Sequence, residues 1–301
     1  MRKILDFFTG WIQQVDLVLL ALCTGTTLFG CLMIASATRY TGSYKNVIVQ
    51  IAALGLGIVA YILMSMLDLN EIGKHWKWLL GGSLVLILLL KTPLGMDGGT
   101  GNRAWLGLKN FPVNLQPVEI VKITFIIVLA RQLQYLQEQR DLKSIPSVGM
   151  LAGHLVLVVG LYAAISGDMG SALVLIFIFA CMCFVAGVAK RWFVLGLLGG
   201  GFAFYVLWET DKINPYMKDR FLTLFDHNMD PLGIGWQQTR SLLALGGGKL
   251  TGQGLFNGTQ TQSASAWSLP ARHTDFIFSV IGEELGLLGC LLTILLLAAI
   301  I

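Results

Sequence analysis

Charge is the scarcest ingredient of this chain. Of its 301 residues only 13% are Asp, Glu, Lys or Arg, while 55% are hydrophobic; soluble domains carry about a quarter charged residues. That shortage excludes an ordinary water-soluble globule. Cysteine is sparse too. Cys23, Cys31, Cys181, Cys183 and Cys290 all fall in apolar stretches, where a free thiol serves as a small buried hydrophobe. Cys181 and Cys183 are two apart and face different directions on a helix, so neither a disulfide nor a metal site is expected. Interior linkers, low-complexity tracts and internal repeats are missing, and 1–301 reads as one domain. No cleavable signal peptide is expected either: Met1-Arg2-Lys3 leads through an amphipathic stretch into a full-length apolar segment, which is expected to stay as an anchor. The glycine cluster 246–254 lacks the pattern of a phosphate loop. Leu243 stands where the earlier glycine is required, and Lys249 is followed by Leu250 rather than Ser or Thr. Turns and tight packing account better for those glycines.

What the chain has instead is apolar runs of about 20 residues, the length a helix needs to cross a bilayer. In hydrocarbon each helix satisfies its own backbone hydrogen bonds. The expected architecture is therefore all-α and polytopic, with about eight spans near 16–37, 46–66, 76–91, 118–137, 147–166, 168–188, 191–209 and 275–301. Placing the N-terminus in the cytoplasm puts Arg2 and Lys3, Lys74 and Lys77, Arg131, Arg140 and Lys143, and Lys190 and Arg191 inside. The opposite short loops hold only Arg39 and Lys45. Two long outer segments result, 92–117 and 210–274, the second lying between the seventh and eighth spans. Long loops of this kind are usually functional. In the seventh span, Gly196 and Gly200 form a small-residue spacing that admits a neighbouring helix.

Ionisable groups within spans point to function by default. Glu119 and Lys122 lie three apart on one helical face, just after Pro117. They form either a structural ion pair or a lysine aimed at an anionic headgroup. Glu283 and Glu284 are adjacent and cannot share one partner; we expect a structural role, with one of them gripping neighbouring helices. Asp275 lies where the long loop enters the eighth span, flanked by Arg272 and His273. It serves either as an acid complementing the helix dipole or as a catalytic group. His273 fits a hydrogen-bonded structural role at a helix start, and no second residue gives it metal-ligand spacing.

Several stretches together resemble the SEDS family (shape, elongation, division and sporulation; RodA/FtsW/SpoVE). They are Gly101-Asn-Arg-Ala-Trp-Leu, Gln116-Pro-Val-Glu-Ile-Val-Lys122, Gly167-Asp-Met-Gly-Ser, Asp230-Pro-Leu-Gly-Ile-Gly-Trp-Gln237 and His273-Thr-Asp-Phe-Ile-Phe followed by Gly282-Glu-Glu-Leu-Gly286. The resemblance covers nearly the whole chain in order. It implies a peptidoglycan glycosyltransferase of the cytoplasmic membrane. Such an enzyme polymerises lipid II on the outer face, releases undecaprenyl diphosphate and works with a class B penicillin-binding protein, with no nucleic acid involved. It also implies an essential aspartate at Asp275, with Glu119, Lys122 and Arg220 as family positions, and Arg272-His273 points to the elongation type. Departures are Val118 for the usual serine, Ser166-Gly167 for Gln-Pro and Ala271 for an acid. The family has ten spans and a Ser-Tyr-Gly-Gly-Ser motif near the last two. The chain ends at Ile301 without them, so a C-terminally truncated form is expected.

The chemistry fits this implication. Sugar transfer needs a base at the acceptor hydroxyl, a role for Asp275, and cations for the departing diphosphate. Arg103, Lys122, Arg220 and Arg272 are the candidates, with His273 and Glu119 beside them. A divalent cation such as Mg²⁺ is a further candidate cofactor, with no protein-held metal site expected. Two other readings remain: a lipid II flippase using Glu119, Lys122 and Glu283, and a non-catalytic scaffold for a penicillin-binding protein.

Overall fold

The computed structural model describes residues 15–97, 102–107, 114–210, 215–223, 234–265 and 267–301. They form two compact units, 68–210 and the remainder, 1–67 with 211–301.

In the second of these, helix Leu17–Thr38 starts at Asp16, whose carboxylate accepts from the Leu19 amide at 2.9 Å. Such a side-chain cap satisfies an otherwise orphaned donor of the first turn. The helix tightens into a 3₁₀ turn, Arg39–Thr41, and stops at Gly42, where the backbone turns left-handed. Helix Lys45–Ser65 returns alongside it. Helix Ile277–Ile300 packs on both Leu17–Thr38 and Ile234–Gly248. Met33, Ala37, Ala244, Leu269, Val280 and Ile281 fill the core between them.

The 277–300 helix is interrupted. Gly286 adopts φ 68°, ψ −163°, and the helical ladder opens around it. The freed groups are taken up by the segment that follows the 234–248 helix. The Glu283 and Glu284 carbonyls accept from the Gln253 and Gly254 amides, each at 2.9 Å. The Leu287 and Leu288 amides donate to the Lys249 and Leu250 carbonyls at 2.9 and 3.2 Å. Buried backbone groups must find partners, and this stitch supplies them. Close backbone approach also dictates the glycines. A methyl group on Gly252 would collide with the Glu284 carbonyl, and one on Gly286 with the Gly252 amide, and both residues have positive φ. The glycine cluster thus serves tight packing, as its sequence indicates.

In the 68–210 unit, helices Leu69–Lys74 and Trp76–Leu89 lead into a short antiparallel ladder, Gly95–Met96 against Trp105–Leu106, extended by a bridge from Leu106 to Leu115. Helix Pro117–Gln139 follows, its proline in the first turn where no amide bond is lost. Ile145–Leu155 and Leu161–Ser166 form one rod joined by a π-helical turn, Val156–Gly160. Asp168 then caps Met169–Val185, and Lys190–Glu209 completes the unit. Phe125, Leu129, Leu151, Tyr162 and Leu175 are among its core residues.

A helix thus stands at each of the eight stretches expected to span. Five are long and apolar enough to cross a membrane, while Trp76–Leu89 and Met169–Val185 are shorter apolar helices. Their outward faces are hydrocarbon: Lys45–Ser65 and Lys190–Glu209 have no buried residue. Water would not tolerate such surfaces, and lipid favours them. The chain is a multi-pass helical membrane protein. Gly196 and Gly200 face open space, so the described residues bring no helix against them. Two sequence expectations need correction. The stretch 210–274 is not simply loop, since it contains helices Pro215–Thr223 and Ile234–Gly248. The last helix begins at Ile277, so Asp275 lies before it rather than in its first turn.

Candidate active site

The Leu269–Phe276 turn is braced from within. The Ala271 carbonyl accepts from the Thr274 amide at 3.0 Å and the Phe276 amide at 3.2 Å, with Ala271 itself at φ 40°. Holding a non-glycine residue there costs on the order of 1 kcal/mol, so the surrounding bonds must fix the turn. Asp275 projects from it exposed to solvent. No hydrogen bond or ion pair from the described residues engages its carboxylate, and no capping bond ties it to the following helix. A helix-dipole role is therefore not what the geometry offers. His273 is half-buried beside it.

Arg272 points the other way. The sequence places it among the substrate-facing cations, but only 5% of its surface is exposed. Its Nε donates to the Leu269 carbonyl at 3.1 Å, and Nη1 donates to the carbonyls of Gln260 (3.3 Å), Thr261 and Ser263 (2.9 Å). Nη2 donates to Ser268 Oγ at 2.7 Å, and the guanidinium sits 3.9 Å from the Tyr40 ring centroid. Burial lowers its pKa, opposed by the Glu283 carboxylate. The side chain holds the loop in shape, and its fork geometry suits that task.

Glu283 and Glu284 are 1% and 0% exposed. Glu283 accepts from the Gln260 amide (2.7 Å), the Thr261 amide (2.8 Å) and the Thr261 hydroxyl (2.6 Å). Residues 260 and 261 are thus held on both sides, their amides by Glu283 and their carbonyls by Arg272. Glu284 accepts from Ser36 Oγ at 2.6 Å, Gln262 Nε2 at 3.0 Å and the Phe256 amide at 3.1 Å. Every partner offers a donor to the acceptor oxygens of the two carboxyl groups. The pair ties the last helix to the first and to the loop between.

In the 68–210 unit, Lys122 and Glu119 form an ion pair of 2.8 Å, the lysine side chain 26% exposed and the glutamate 56%. Arg103 is exposed, without a partner among the described residues. Asp168 accepts from Ser171 Oγ (2.6 Å), the Ser171 amide (3.2 Å) and Tyr162 OH (3.0 Å). Burial alone would raise its pKa, but these bonds outweigh it and hold the carboxyl below its ordinary value. Arg220 lies in helix Pro215–Thr223, its side chain outside the described residues. Asp230 to Gly233 and Gly101 of the quoted motifs also lie outside them. Among the described residues no three His, Cys, Asp or Glu side chains converge on a metal position.

Sequence reasoning missed the partners of the buried acids. Ser36 lies 248 positions from Glu284, and Thr261 and Gln262 sit in a polar stretch of ordinary composition. Tyr40, stacked on Arg272, carried no signal either.

Comparison with known proteins adds the following. The family model for cell cycle proteins of the FtsW, RodA and SpoVE group matches residues 14–301. A probable peptidoglycan glycosyltransferase FtsW of Geobacter metallireducens is 34% identical over 290 residues, spanning 92% of this chain and 73% of the relative. The corresponding protein of Trichlorobacter lovleyi is 34% identical over 295 residues, spanning 94% and 73%. A solved structure described as the structural coordination of polymerization and crosslinking by a peptidoglycan synthase complex is similar with a TM-score of 0.74, at 27% identity, over 95% of this chain and 75% of that one. The crystal structure of the Thermus thermophilus rod shape determining protein RodA is similar with a TM-score of 0.63, at 25% identity, over 95% and 72%. The chain belongs to the FtsW/RodA/SpoVE family of cell cycle proteins.

Proposed function

We propose that this chain is a peptidoglycan glycosyltransferase that polymerises lipid II at the outer face of the cytoplasmic membrane. The carrying observation is Asp275, an exposed and unengaged carboxylate held by a cross-braced turn in a chain whose curated relatives bear that activity's name. An acceptor sugar hydroxyl attacks the anomeric carbon of the donor. Its proton passes to the Asp275 carboxylate as the new carbon–oxygen bond forms, and the bond to the diphosphate breaks with inversion. The leaving undecaprenyl diphosphate takes the electron pair, and Arg103, Lys122 and Arg220 are assigned to meet its charge. Glu119 orients Lys122, and His273 lines the sugar side. Arg272, Glu283 and Glu284 are positioning residues: they hold the loop that carries Asp275.

Mg²⁺ belongs to the proposal as a companion of the diphosphate. Eight spans, a cytoplasmic N-terminus, outer segments 92–117 and 210–274, and a single membrane domain complete the reading. A class B penicillin-binding protein is the proposed partner, supported by the similarity to a component of a polymerising and crosslinking complex.

The test uses the purified chain with labelled lipid II, with and without Mg²⁺, beside the penicillin-binding protein. Glycan strands are the expected product. A folded preparation that moves lipid II across vesicle membranes without joining sugars would make it a transporter. One that only binds the penicillin-binding protein would make it a scaffold.

A further inference from the structure

The 68–210 unit contains a cavity of about 550 Å³ that the proposed reaction does not use. It lies where helix Trp76–Leu89 begins and helix Pro117–Gln139 nears its end, beside the rod 145–166. This is the end of the unit away from the Gly95–Leu106 ladder, and under the proposed orientation it faces the cytoplasm. Its walls combine three kinds of side chain. Leu80, Val128 and Leu157 are hydrocarbon; Trp76 and Tyr135 are amphipathic rings; Lys77 and Arg131 are cations.

Neither cation has a carboxylate partner among the described residues. The Lys77 ammonium lies 5.7 Å from the Trp76 ring centroid, and Arg131 Nη1 donates to the Gln134 side-chain carbonyl at 2.8 Å. Among the described residues no acidic side chain lines the cavity. His154, on its wall, is 7% exposed. Its Nδ1 faces Gln132 Oε1 at 2.9 Å, while Gln132 Nε2 donates to the Met150 carbonyl at 3.1 Å. That arrangement puts the ring proton on Nδ1 and leaves Nε2 as a buried acceptor without a partner among the described residues. Buried acceptors left open are uncommon and call for an explanation. The π-helical turn Val156–Gly160 follows directly, and such turns gather at functional places.

We infer that this cavity binds the headgroup and upper acyl chain of an anionic phospholipid. Lys77 and Arg131 meet the phosphate, the aromatic rings sit at the headgroup level and the leucine and valine wall takes the chain. Basic pockets between spans on the cytoplasmic side hold anionic headgroups in this manner. Choline would set a further cation beside Lys77 and Arg131, so a glycerol headgroup fits better. The inference rests on the proposed orientation of the chain in the membrane; it does not depend on sugar transfer.

The test is native mass spectrometry of the full chain titrated with phosphatidylglycerol and with phosphatidylcholine. Phosphatidylglycerol should bind preferentially, and Lys77→Gln with Arg131→Gln should weaken it roughly thirtyfold. Lys77→Arg with Arg131→Lys should restore it, which separates charge from fold. Should the neutral pair misfold, brominated phosphatidylglycerol should quench the parent's fluorescence by an amount that Trp76→Phe removes. Equal retention of the two lipids, or no effect of the neutral pair, would overturn the assignment. Full displacement of the lipid by millimolar inorganic phosphate would also overturn it, marking a site for a free anion.

Discussion

Asp275 and the Glu283–Glu284 pair stand within nine residues of one another in sequence, and their surroundings are opposite. Each buried glutamate accepts three or more hydrogen bonds and links distant parts of the chain. Asp275 accepts none from the described residues and lies in solvent. The difference separates acids that build from an acid that is available. A buried carboxylate already committed to three donor groups is out of reach of a substrate proton, whereas one held in place, exposed and unengaged can accept it. In this segment, rigidity and reactivity are assigned to different residues.

That contrast is breakable. The largest effect is expected at the stitch that positions the buried pair. Gly252→Ala combines a positive φ with a backbone collision at the Glu284 carbonyl. It should cost on the order of 4 kcal/mol or more and abolish recovery of monodisperse protein on size-exclusion chromatography. Next comes Glu284→Ala, which strands Ser36, Gln262 and the Phe256 amide. A loss of about 3 kcal/mol is expected in thermal or denaturant unfolding, and Glu284→Gln should recover part of it. A variant as stable as the parent would show that the network is incidental.

Arg272→Lys sharpens the comparison further. Lysine cannot reproduce a fork that reaches the carbonyls of residues 260, 261, 263 and 269, so polymerisation should fall several-fold with only a modest shift in melting temperature. Because the residue acts through the loop, proteolysis within 260–275 should quicken in parallel. A drop in turnover with the loop still protected would instead put Arg272 on the substrate.

The smallest effect belongs to the other unit. Asp168→Ala removes the cap of helix Met169–Val185 and should cost about 1 kcal/mol. The Asp168 carboxyl is held below its ordinary value, so its contribution is present above the unfolded-state value of about 3.9. That contribution is lost as pH falls through the lower folded value. The parent and the variant should therefore converge in stability as pH falls through and below that range, and a constant gap would contradict the assignment.

Much of the fold was legible because hydrocarbon imposes a simple rule. Every expected span coincides with a helix, since runs of about 20 apolar residues have few alternatives in lipid. The helices Pro215–Thr223 and Ile234–Gly248 were hidden because their polar composition resembles loop. The site was legible in part. Asp275 drew attention through its place at an apolar boundary, and the adjacent glutamates through their cost in a span. Arg272 was misplaced because sequence gives a side chain's charge and neighbours but not the direction in which it turns. The Gly286 break was invisible for a related reason. Its partners are the amides and carbonyls of residues 249–254, and backbone groups carry no identity in sequence.

The most direct measurement is lipid II polymerisation by Asp275→Asn, with thermal unfolding recorded on the same preparation. Asparagine keeps the size of the side chain and loses its basicity. The account predicts a fall in glycan synthesis of about 10² to 10⁴-fold with the melting temperature unchanged. Polymerisation at the parent's rate by a folded Asp275→Asn protein would contradict it, and the base would have to be sought elsewhere.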